Sequence, residues 1–290
     1  MLVIVNKSGQ LSNRLSIFAH LIKFSLEHGA SVYNPSFDEY AYLFEGTGKG
    51  LLIKDLAPRH FFDQHSLTRS VAFRVARKLS IILPGIPCLR RYFVSIVLKN
   101  DEDRFALDSP ENIQLLKSGK IFFLSGWLFR NQNLAEKHSD FIRGYFRPVQ
   151  KHLANIERTI HPIRKKFRTL VGIHIRRGDY KMFQNGIYYY DVEQYKTVME
   201  NIASVFCENE IAFLICSNED IDLNTFRGQN VFKGPGHAVE DLYSLAACDY
   251  IAGPPSTFTM WASFYGKKPL YMIKNIADIP TCDSFRIINI

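Results

Sequence analysis

Short apolar runs alternate with longer amphipathic segments along this sequence, and that alternation constrains the fold more than any other feature. Leu2–Asn6 has the composition of a buried strand, and residues 15–27 place apolar side chains at helical spacing. A similar series begins again at Leu170. Strands that alternate with helices at this spacing form mostly parallel sheets covered by helices. The sequence therefore predicts an α/β protein with two Rossmann-like domains, residues 1–148 and 149–290.

Composition narrows the class of protein. The 290 residues are 22% charged and 47% hydrophobic, which excludes a disordered or fibrous chain. No uncharged apolar stretch approaches the roughly 18 residues that span a bilayer. The chain starts directly with a strand-like segment, without the pattern of a secretory signal, so we expect a cytoplasmic protein. Five cysteines, without CxxC spacing, indicate reduced thiols and not a disulfide framework or a zinc site.

Positive charge is concentrated in one segment. The net charge is +8, and residues 64–100 contain no acidic residue. Basic and apolar side chains alternate there, which suits peripheral contact between residues 69–99 and the cytoplasmic face of a membrane. Two short amphipathic helices with a solvated basic face, or a surface for nucleic acid, would have the same composition. The seven bases are Arg69, Arg74, Arg77, Lys78, Arg90, Arg91 and Lys99.

Polar residues follow several predicted strands, where open α/β sheets bind their ligands. Adjacent arginines supply fork-shaped donors that match phosphate oxygens. A serine and a threonine that open a helix add hydroxyls and free backbone N–H groups. These patterns predict a diphosphate site. The strand-end residues are His174, Arg176, Arg177 and Asp179; Asn218 and Glu219; Ser256 and Thr257; and, near the amino terminus, Gly9, Gln10, Asn13 and Arg14.

Each of these residues also has a purely structural interpretation. His174 fits a hydrogen-bonded core histidine, and Arg176 with Asp179 fits an ion pair. Ser256 fits a helix N-cap, and Asn13 with Arg14 fits a helix start. The complete string H-x-R-R-x-D is expected by chance on the order of 10⁻³ to 10⁻² times in such a chain, so it carries more weight.

Metal-binding patterns are weak. Two D-x-D strings occur, at residues 101–103 and 220–222, and about one is expected by chance. The nine histidines show neither H-x-x-x-H nor H-x-H spacing. We therefore expect no metal site.

Four blocks of the sequence resemble the bacterial α1,2-fucosyltransferases. Residues 171–180 resemble their H-x-R-R-x-D-Y signature, and residues 9–14 resemble their G-x-L-x-N-[QR] loop. Residues 213–220 are similar to their strand ending in S-D-D. Asp241-Leu242-Tyr243 and residues 256–262 are similar to their D-L-x-x-[ML] and S-S-F-S-W-W block. The blocks occur in the family's order, whereas residues 35–120 match nothing in it.

The resemblance implies a GT-B-like fold and transfer of fucose, with inversion, from the donor substrate GDP-fucose to a glycan hydroxyl, most often α1,2 on a galactoside that can be lipid-linked. It implies neither a cofactor nor a metal. Arg176 and Asp179 would be catalytic. In the α1,6 enzymes a glutamate five residues after the motif aspartate has been assigned as the general base, and the matching residue here is Gln184. The resemblance therefore does not identify the general base of this protein. The donor-binding residues would be Gly9, Gln10, Asn13, Arg14, His174, Arg177, Asn218, Glu219, Asp241, Ser256 and Thr257.

Two other functions fit parts of the sequence. A guanine-nucleotide or phospho-ligand hydrolase would use Arg176, Arg177 and Asp179, although a P-loop motif is absent from the sequence. A non-enzymatic nucleic-acid-binding protein would use the basic segment, although no nucleic-acid-binding fingerprint occurs. We therefore expect a glycan partner and no nucleic acid.

Overall fold

The computed structural model describes residues 1–47, 52–53, 66–100, 103–132, 136–206 and 210–290. The chain divides into two compact units, residues 1–149 with Ile290 and residues 150–289. The division after Val149 is one residue beyond the predicted boundary. The described part of each unit contains a five-stranded sheet. Cys207 and the first two residues of the 101–103 D-x-D string lie outside the described residues.

In the first unit, helices flank a sheet ordered β3-β2-β1-β6-β4, in which β3 is antiparallel to β2 and the other pairs are parallel. β5 and β7 form a separate small parallel sheet. The strands are β1 (Leu2–Ile4), β2 (Val32–Tyr33), β3 (Leu52–Ile53), β4 (Phe93–Val97), β5 (Phe105–Ala106), β6 (Ile121–Ser125) and β7 (Phe129–Arg130). The helices are α1 (Leu11–His28), α2 (Ser66–Ile82), α3 (Pro110–Leu116) and α4 (Ser139–Tyr145).

In the second unit, the sheet is parallel throughout, in the order β10-β9-β8-β11-β12. Successive strands are added on one side of β8 up to β10 and then on its other side from β11, so the strand order reverses between β8 and β11. The carboxyl ends of these two strands are the topological switch point, where such sheets bind ligands. The strands are β8 (Thr169–Ile175), β9 (Ile211–Ser217), β10 (Val231–Lys233), β11 (Tyr250–Gly253) and β12 (Leu270–Met272). The helices are α5 (Gln150–Arg164), α6 (Val192–Phe206), α7 (Ala238–Ala247) and α8 (Thr257–Gly266). The predicted α/β class with mostly parallel sheets is confirmed.

The central strand β8 is buried on both faces, as expected for a strand between two helix layers. Val171, Ile173 and Ile175 are buried in one cluster with Tyr195 of α6. On the other face, Gly172 leaves room for α7, because an added Cβ would lie 2.6 Å from a Leu245 methyl group. This packing holds the end of β8 in place.

Two sequence predictions about local structure are wrong. Helix α1 begins at Leu11, not at Leu15, so Asn13 and Arg14 lie on its first turn and not in a loop. Leu11 is buried and extends the apolar face of the helix by one turn. The second amphipathic helix considered for the basic segment is instead strand β4, which pairs with β6 along its whole length.

The basic segment also presents fewer charges than its sequence suggests. Arg69 is buried, and its guanidinium donates to the Thr47 carbonyl at 3.5 Å. The other six bases are exposed. No helix in the described part of the chain is both long and apolar enough to cross a membrane.

Candidate functional site

The end of β8 places two guanidinium groups at the switch point. The Arg176 guanidinium donates to Asp179 Oδ2 at 2.7 Å and lies 5.5 Å from the Tyr180 ring centroid. Its side chain is 15% exposed, against 57% for Asp179. The predicted ion pair is therefore formed, and the guanidinium is held in a fixed orientation while its partner carboxylate faces solvent.

Arg177 connects the end of β8 to the end of β9. Its backbone N–H donates to Asn218 Oδ1 at 3.1 Å, and its Nε lies 3.6 Å from a Glu219 carboxylate oxygen. Its guanidinium also donates to the Tyr189 hydroxyl at 2.9 Å, and this contact is the main reason that the pKa of Arg177 is raised. The structure thus brings the predicted β8 and β9 residues together.

Gly178 makes this approach of the two loops possible. Its φ of +57° lies in the left-handed region, where any residue with a side chain is strained. An added Cβ would lie 2.8 Å from Asn218 Nδ2. A residue with a side chain here would be strained and would displace the Asn218 amide.

His174 lies on the face of β8 opposite Ile173 and Ile175, as its alternation with them predicts. It is buried, and its ring stacks on Phe258 of α8 with 4.7 Å between the centroids. Burial, and secondarily the charge of Arg176, lowers its pKa to about 3, so the imidazole is neutral at physiological pH. Its Nδ1 has no hydrogen-bond partner among the described residues.

Ser256 caps helix α8 at the end of β11. Its hydroxyl accepts from the Phe258 backbone N–H at 3.1 Å, which is the structural role considered for it from the sequence. The Tyr180 hydroxyl donates to the Pro255 carbonyl at 2.7 Å and holds the β8 loop against this helix start. The first turn of α8, which begins with Thr257, therefore lies beside the β8 loop, and its amino-terminal dipole favours an anion there.

Asp241 lies in the first turn of α7, and its carboxylate is buried and turned toward its own loop. It accepts from the Gly236 backbone N–H at 2.9 Å. Burial raises its pKa to about 6. The Asp241 carboxylate therefore holds the loop between β10 and α7 in place.

The four predicted amino-terminal residues form their own cluster in the first unit. Gly9 adopts a φ of +63° and packs directly against the Asn13 side chain, while Gln10 precedes α1. Arg14 is buried, donates to the Gly9 carbonyl at 3.2 Å and pairs with Glu39 at 2.8 Å. These contacts rigidify the loop before α1.

The second D-x-D string has structural partners. Asp220 pairs with Lys233, and Asp222 accepts from the Asn224 backbone N–H at 2.9 Å. In the first string, Asp103 accepts from the backbone N–H groups of Lys99 and Asn100. The three described aspartates of these strings therefore each have a partner within the protein.

The sequence analysis assigned no role to the aromatic partners of the site. Tyr180, Tyr189 and Phe258 contact the two arginines and His174. Tyr180 and Phe258 lie within the motif blocks at residues 171–180 and 256–262, so their position was a usable signal. The contact of Tyr189 with Arg177 depends on the turn of residues 182–187 and had no local signal.

Comparison with known proteins identifies structures with the same fold and the family of the chain. Three solved structures share the fold. A variant of Arabidopsis thaliana FUT1 in complex with GDP has a TM-score of 0.58 and 13% identity, over 94% of this chain and 70% of that one. The fucosyltransferase NodZ from Bradyrhizobium has a TM-score of 0.55 and 14% identity, over 96% of this chain and 97% of that one, and POFUT1 in complex with GDP-fucose has a TM-score of 0.52 and 10% identity, over 97% of this chain and 96% of that one. No curated protein matches the sequence. The model of glycosyl transferase family 11 matches residues 65–281. Because this match covers most of the chain and includes the end of β8 and the start of α8, the chain belongs to glycosyl transferase family 11.

Proposed function

We propose that this glycosyltransferase transfers fucose from GDP-fucose to a glycan hydroxyl, with inversion, forming an α1,2 linkage on a galactoside. The observation that carries the proposal is the meeting of Arg176, Arg177 and the first turn of α8 at the switch point of the second unit. Three structures with this fold are of fucosyltransferases, or of proteins bound to GDP or GDP-fucose. We assign the GDP-fucose-binding domain to residues 149–290 and the acceptor-side domain to residues 1–148, apart from four donor-binding residues of the amino-terminal loop that are named below.

The main catalytic contribution would be electrostatic. When the bond between fucose and the β-phosphate oxygen breaks, negative charge grows on the departing GDP. Arg176 and Arg177, with the N–H groups at the start of α8, are fixed donors that stabilise this charge more than that of the intact donor. His174, as a neutral imidazole, together with Asn218 and Glu219, would bind on the guanine side.

The acceptor hydroxyl must lose a proton as its oxygen bonds to the anomeric carbon. Asp179 is the carboxylate we propose for this step, since it is exposed and lies at the same loop. General-base catalysis of this kind contributes roughly 10²–10⁴-fold. The carboxylate takes the proton, and the products are GDP and the fucosylated glycan. The position of the α1,6 enzymes' base is Gln184, which is unsuited to accept a proton.

We further assign Gly9, Gln10, Asn13 and Arg14 to donor binding, on the resemblance of their loop to the family's motif. Asp241 would act on the donor through the loop that its carboxylate holds. The transfer itself would need no metal ion, since charge on the leaving group is met by arginines.

A donor and acceptor panel tests this proposal. GDP-fucose, other GDP-sugars and UDP-sugars are each incubated with galactosides and with other glycans, with and without EDTA. We expect transfer from GDP-fucose alone, retained in EDTA, with an α1,2 linkage by NMR of the product. Transfer from UDP-sugars only, or release of free fucose at full rate without acceptor, would contradict the proposal.

We also propose that α2 attaches the protein reversibly to the anionic cytoplasmic face of a membrane, where a lipid-linked acceptor would be available. Leu67 and Ile81 are 80% and 72% exposed, although they are large apolar residues. Arg74, Arg77 and Lys78 are exposed on the same helix. Each base contributes about 1 kcal/mol at most near such a surface, and less as salt rises.

Vesicle sedimentation tests the attachment. We expect binding to anionic vesicles at low salt and release at high salt, with weaker binding of an Arg74→Ser, Arg77→Ser, Lys78→Ser variant. Lys151→Ser, Arg158→Ser and Lys165→Ser, on or directly after α5, provide a matched loss of three exposed charges outside α2. Equal binding to neutral and anionic vesicles, or an equal effect of both sets of substitutions, would contradict the assignment to α2.

A further inference from the structure

A second group of ligand-type side chains lies in the second unit, around the start of α7. His152 comes from α5, His237 directly precedes α7, and Glu240 lies in the first turn of α7. One nitrogen or oxygen atom from each of the three lies within 4.8 Å of the others. The strand-end arginines have no part in this cluster, so it is a feature in addition to the candidate donor site.

The three side chains are already arranged around one carboxylate. His152 Nδ1 lies 2.8 Å from Glu240 Oε1, and both residues are buried. The His237 ring stacks on the His152 ring, with 4.9 Å between centroids and 24° between planes. His237 is exposed, so the cluster is open to solvent on one side.

We propose that His152, His237 and Glu240 bind a divalent transition-metal ion of the zinc type. Two imidazole nitrogens and one carboxylate oxygen are ligands that zinc prefers, and a set of three leaves a fourth position for water. Zinc–nitrogen bonds of about 2.0–2.1 Å place tetrahedral ligands about 3.3 Å apart. The 2.8 Å pair is close to this spacing already.

Binding of the ion requires the His237 ring nitrogen to move nearer to the other two ligand atoms, which lie within 4.8 Å of it. His237 follows Gly234-Pro235-Gly236 and is exposed, so a change of its side-chain rotamer can bring its ring nitrogen nearer without disturbing the core. Asn155 Nδ2 donates to Glu240 Oε1 at 2.7 Å and would orient the carboxylate. Support of this kind is typical of the groups that surround metal ligands.

The local spacing explains why His237 and Glu240, at the start of α7, face the same point. His237 and Glu240 are three residues apart across the helix start, which is about one turn. His152 adds the third ligand from a different helix, 88 residues from Glu240 in sequence. A bound ion would therefore crosslink α5 to the start of α7.

Direct metal binding tests this inference without any nucleotide sugar, so its outcome is independent of the proposed transfer. The full chain is stripped with a chelator and titrated with zinc by calorimetry, and with cobalt by visible absorption. We expect one saturable ion per chain, a cobalt spectrum of tetrahedral type without thiolate charge-transfer bands, and a higher melting temperature with zinc.

Variants then locate the ion. His237→Ala changes an exposed residue, and Glu240→Gln keeps the shape of the carboxylate, so both are expected to fold, as circular dichroism would check. We expect each to weaken zinc binding at least about tenfold. His161→Ala, an exposed histidine on the same α5 helix, is expected to bind as the parent does. No saturable binding, or equal affinity in His237→Ala and His161→Ala, would overturn the inference.

Discussion

Substitution of Arg176 separates a catalytic role from a structural one. Arg176→Ala removes the pair with Asp179 and the contact with the Tyr180 ring. Because the Asp179 carboxylate is 57% exposed, solvent screens the pair, and such pairs stabilise a protein by about 0.2–1 kcal/mol. The contact with the tyrosine ring adds about 0.5–1 kcal/mol. We therefore expect a loss of about 1–2 kcal/mol in the free energy of unfolding.

The expected loss of activity is much larger. If Arg176 stabilises charge on the departing diphosphate, its removal lowers kcat by about 10²–10³-fold. A stability loss of about 1–2 kcal/mol leaves a domain with ordinary stability of about 5–15 kcal/mol almost wholly folded. Unfolding therefore accounts for little of such a decrease. Arg176→Lys should also reduce kcat strongly, because an ammonium does not reproduce the two-pronged guanidinium.

The assay measures kcat at saturating GDP-fucose and acceptor, with urea unfolding of each variant in parallel. Arg143→Ala is the matched control, because Arg143 is similarly buried, at 16% exposure, and also pairs with an aspartate three residues away, at 2.9 Å. We expect near-parental kcat for this control. A decrease of less than tenfold in Arg176→Ala, or an equal decrease in both variants, would refute the reasoning.

Asp179→Asn breaks the same ion pair and leaves the guanidinium in place. If Asp179 is the base, kcat falls and the acidic limb of the pH–rate profile disappears. If it only orients Arg176, kcat falls modestly and the profile keeps its shape. An unchanged profile would remove Asp179 as the base.

Three further substitutions test the structure around the site. Gly178→Ala should lower the free energy of unfolding in urea by about 1–2 kcal/mol because φ is positive at this position. It should also weaken donor binding, because the added methyl group would displace Asn218. An unchanged free energy of unfolding and unchanged donor affinity would argue against the left-handed turn. Gly266→Ala would overlap the backbone oxygen of Ala246, and we expect a loss of about 3 kcal/mol, measured in the same way. His174 has a pKa of about 3 in the folded chain against 6.5 ordinarily, so the unfolded chain takes up the proton first as the pH falls. Stability should therefore drop by up to about 1.4 kcal/mol per pH unit between pH 6.5 and 3, and His174→Phe should reduce that slope in unfolding measured at pH 7, 6 and 5.

The features that sequence alone determined are local ones. The alternation of apolar runs with helical segments indicates parallel sheets, because strand and helix periodicity depend only on neighbouring residues. The position of Arg176, Arg177 and Asp179 directly after a buried strand places them at a sheet edge for the same reason. Sequence also identified Ser256 at the start of a helix, which is where it caps α8.

Local errors arose where the pattern was ambiguous. The polar residues between Leu11 and Leu15 concealed the first turn of α1, whose stability comes from the burial of Leu11. The apolar residues of β4 fit either a helix or a strand, and pairing with β6 selected the strand. Arg69 has the composition of a surface base, but packing buried it beside the Thr47 carbonyl.

Only the tertiary structure decided which strand ends meet. β11 pairs with β8 although the paired residues are 79 positions apart in sequence, and this pairing brings Tyr180 to the start of α8 and His174 to Phe258. The same holds for His152 and Glu240, which adjoin only because α5 packs against α7. Strand order and helix packing depend on burial shared between distant segments, and no periodicity within one segment records which partner it will meet.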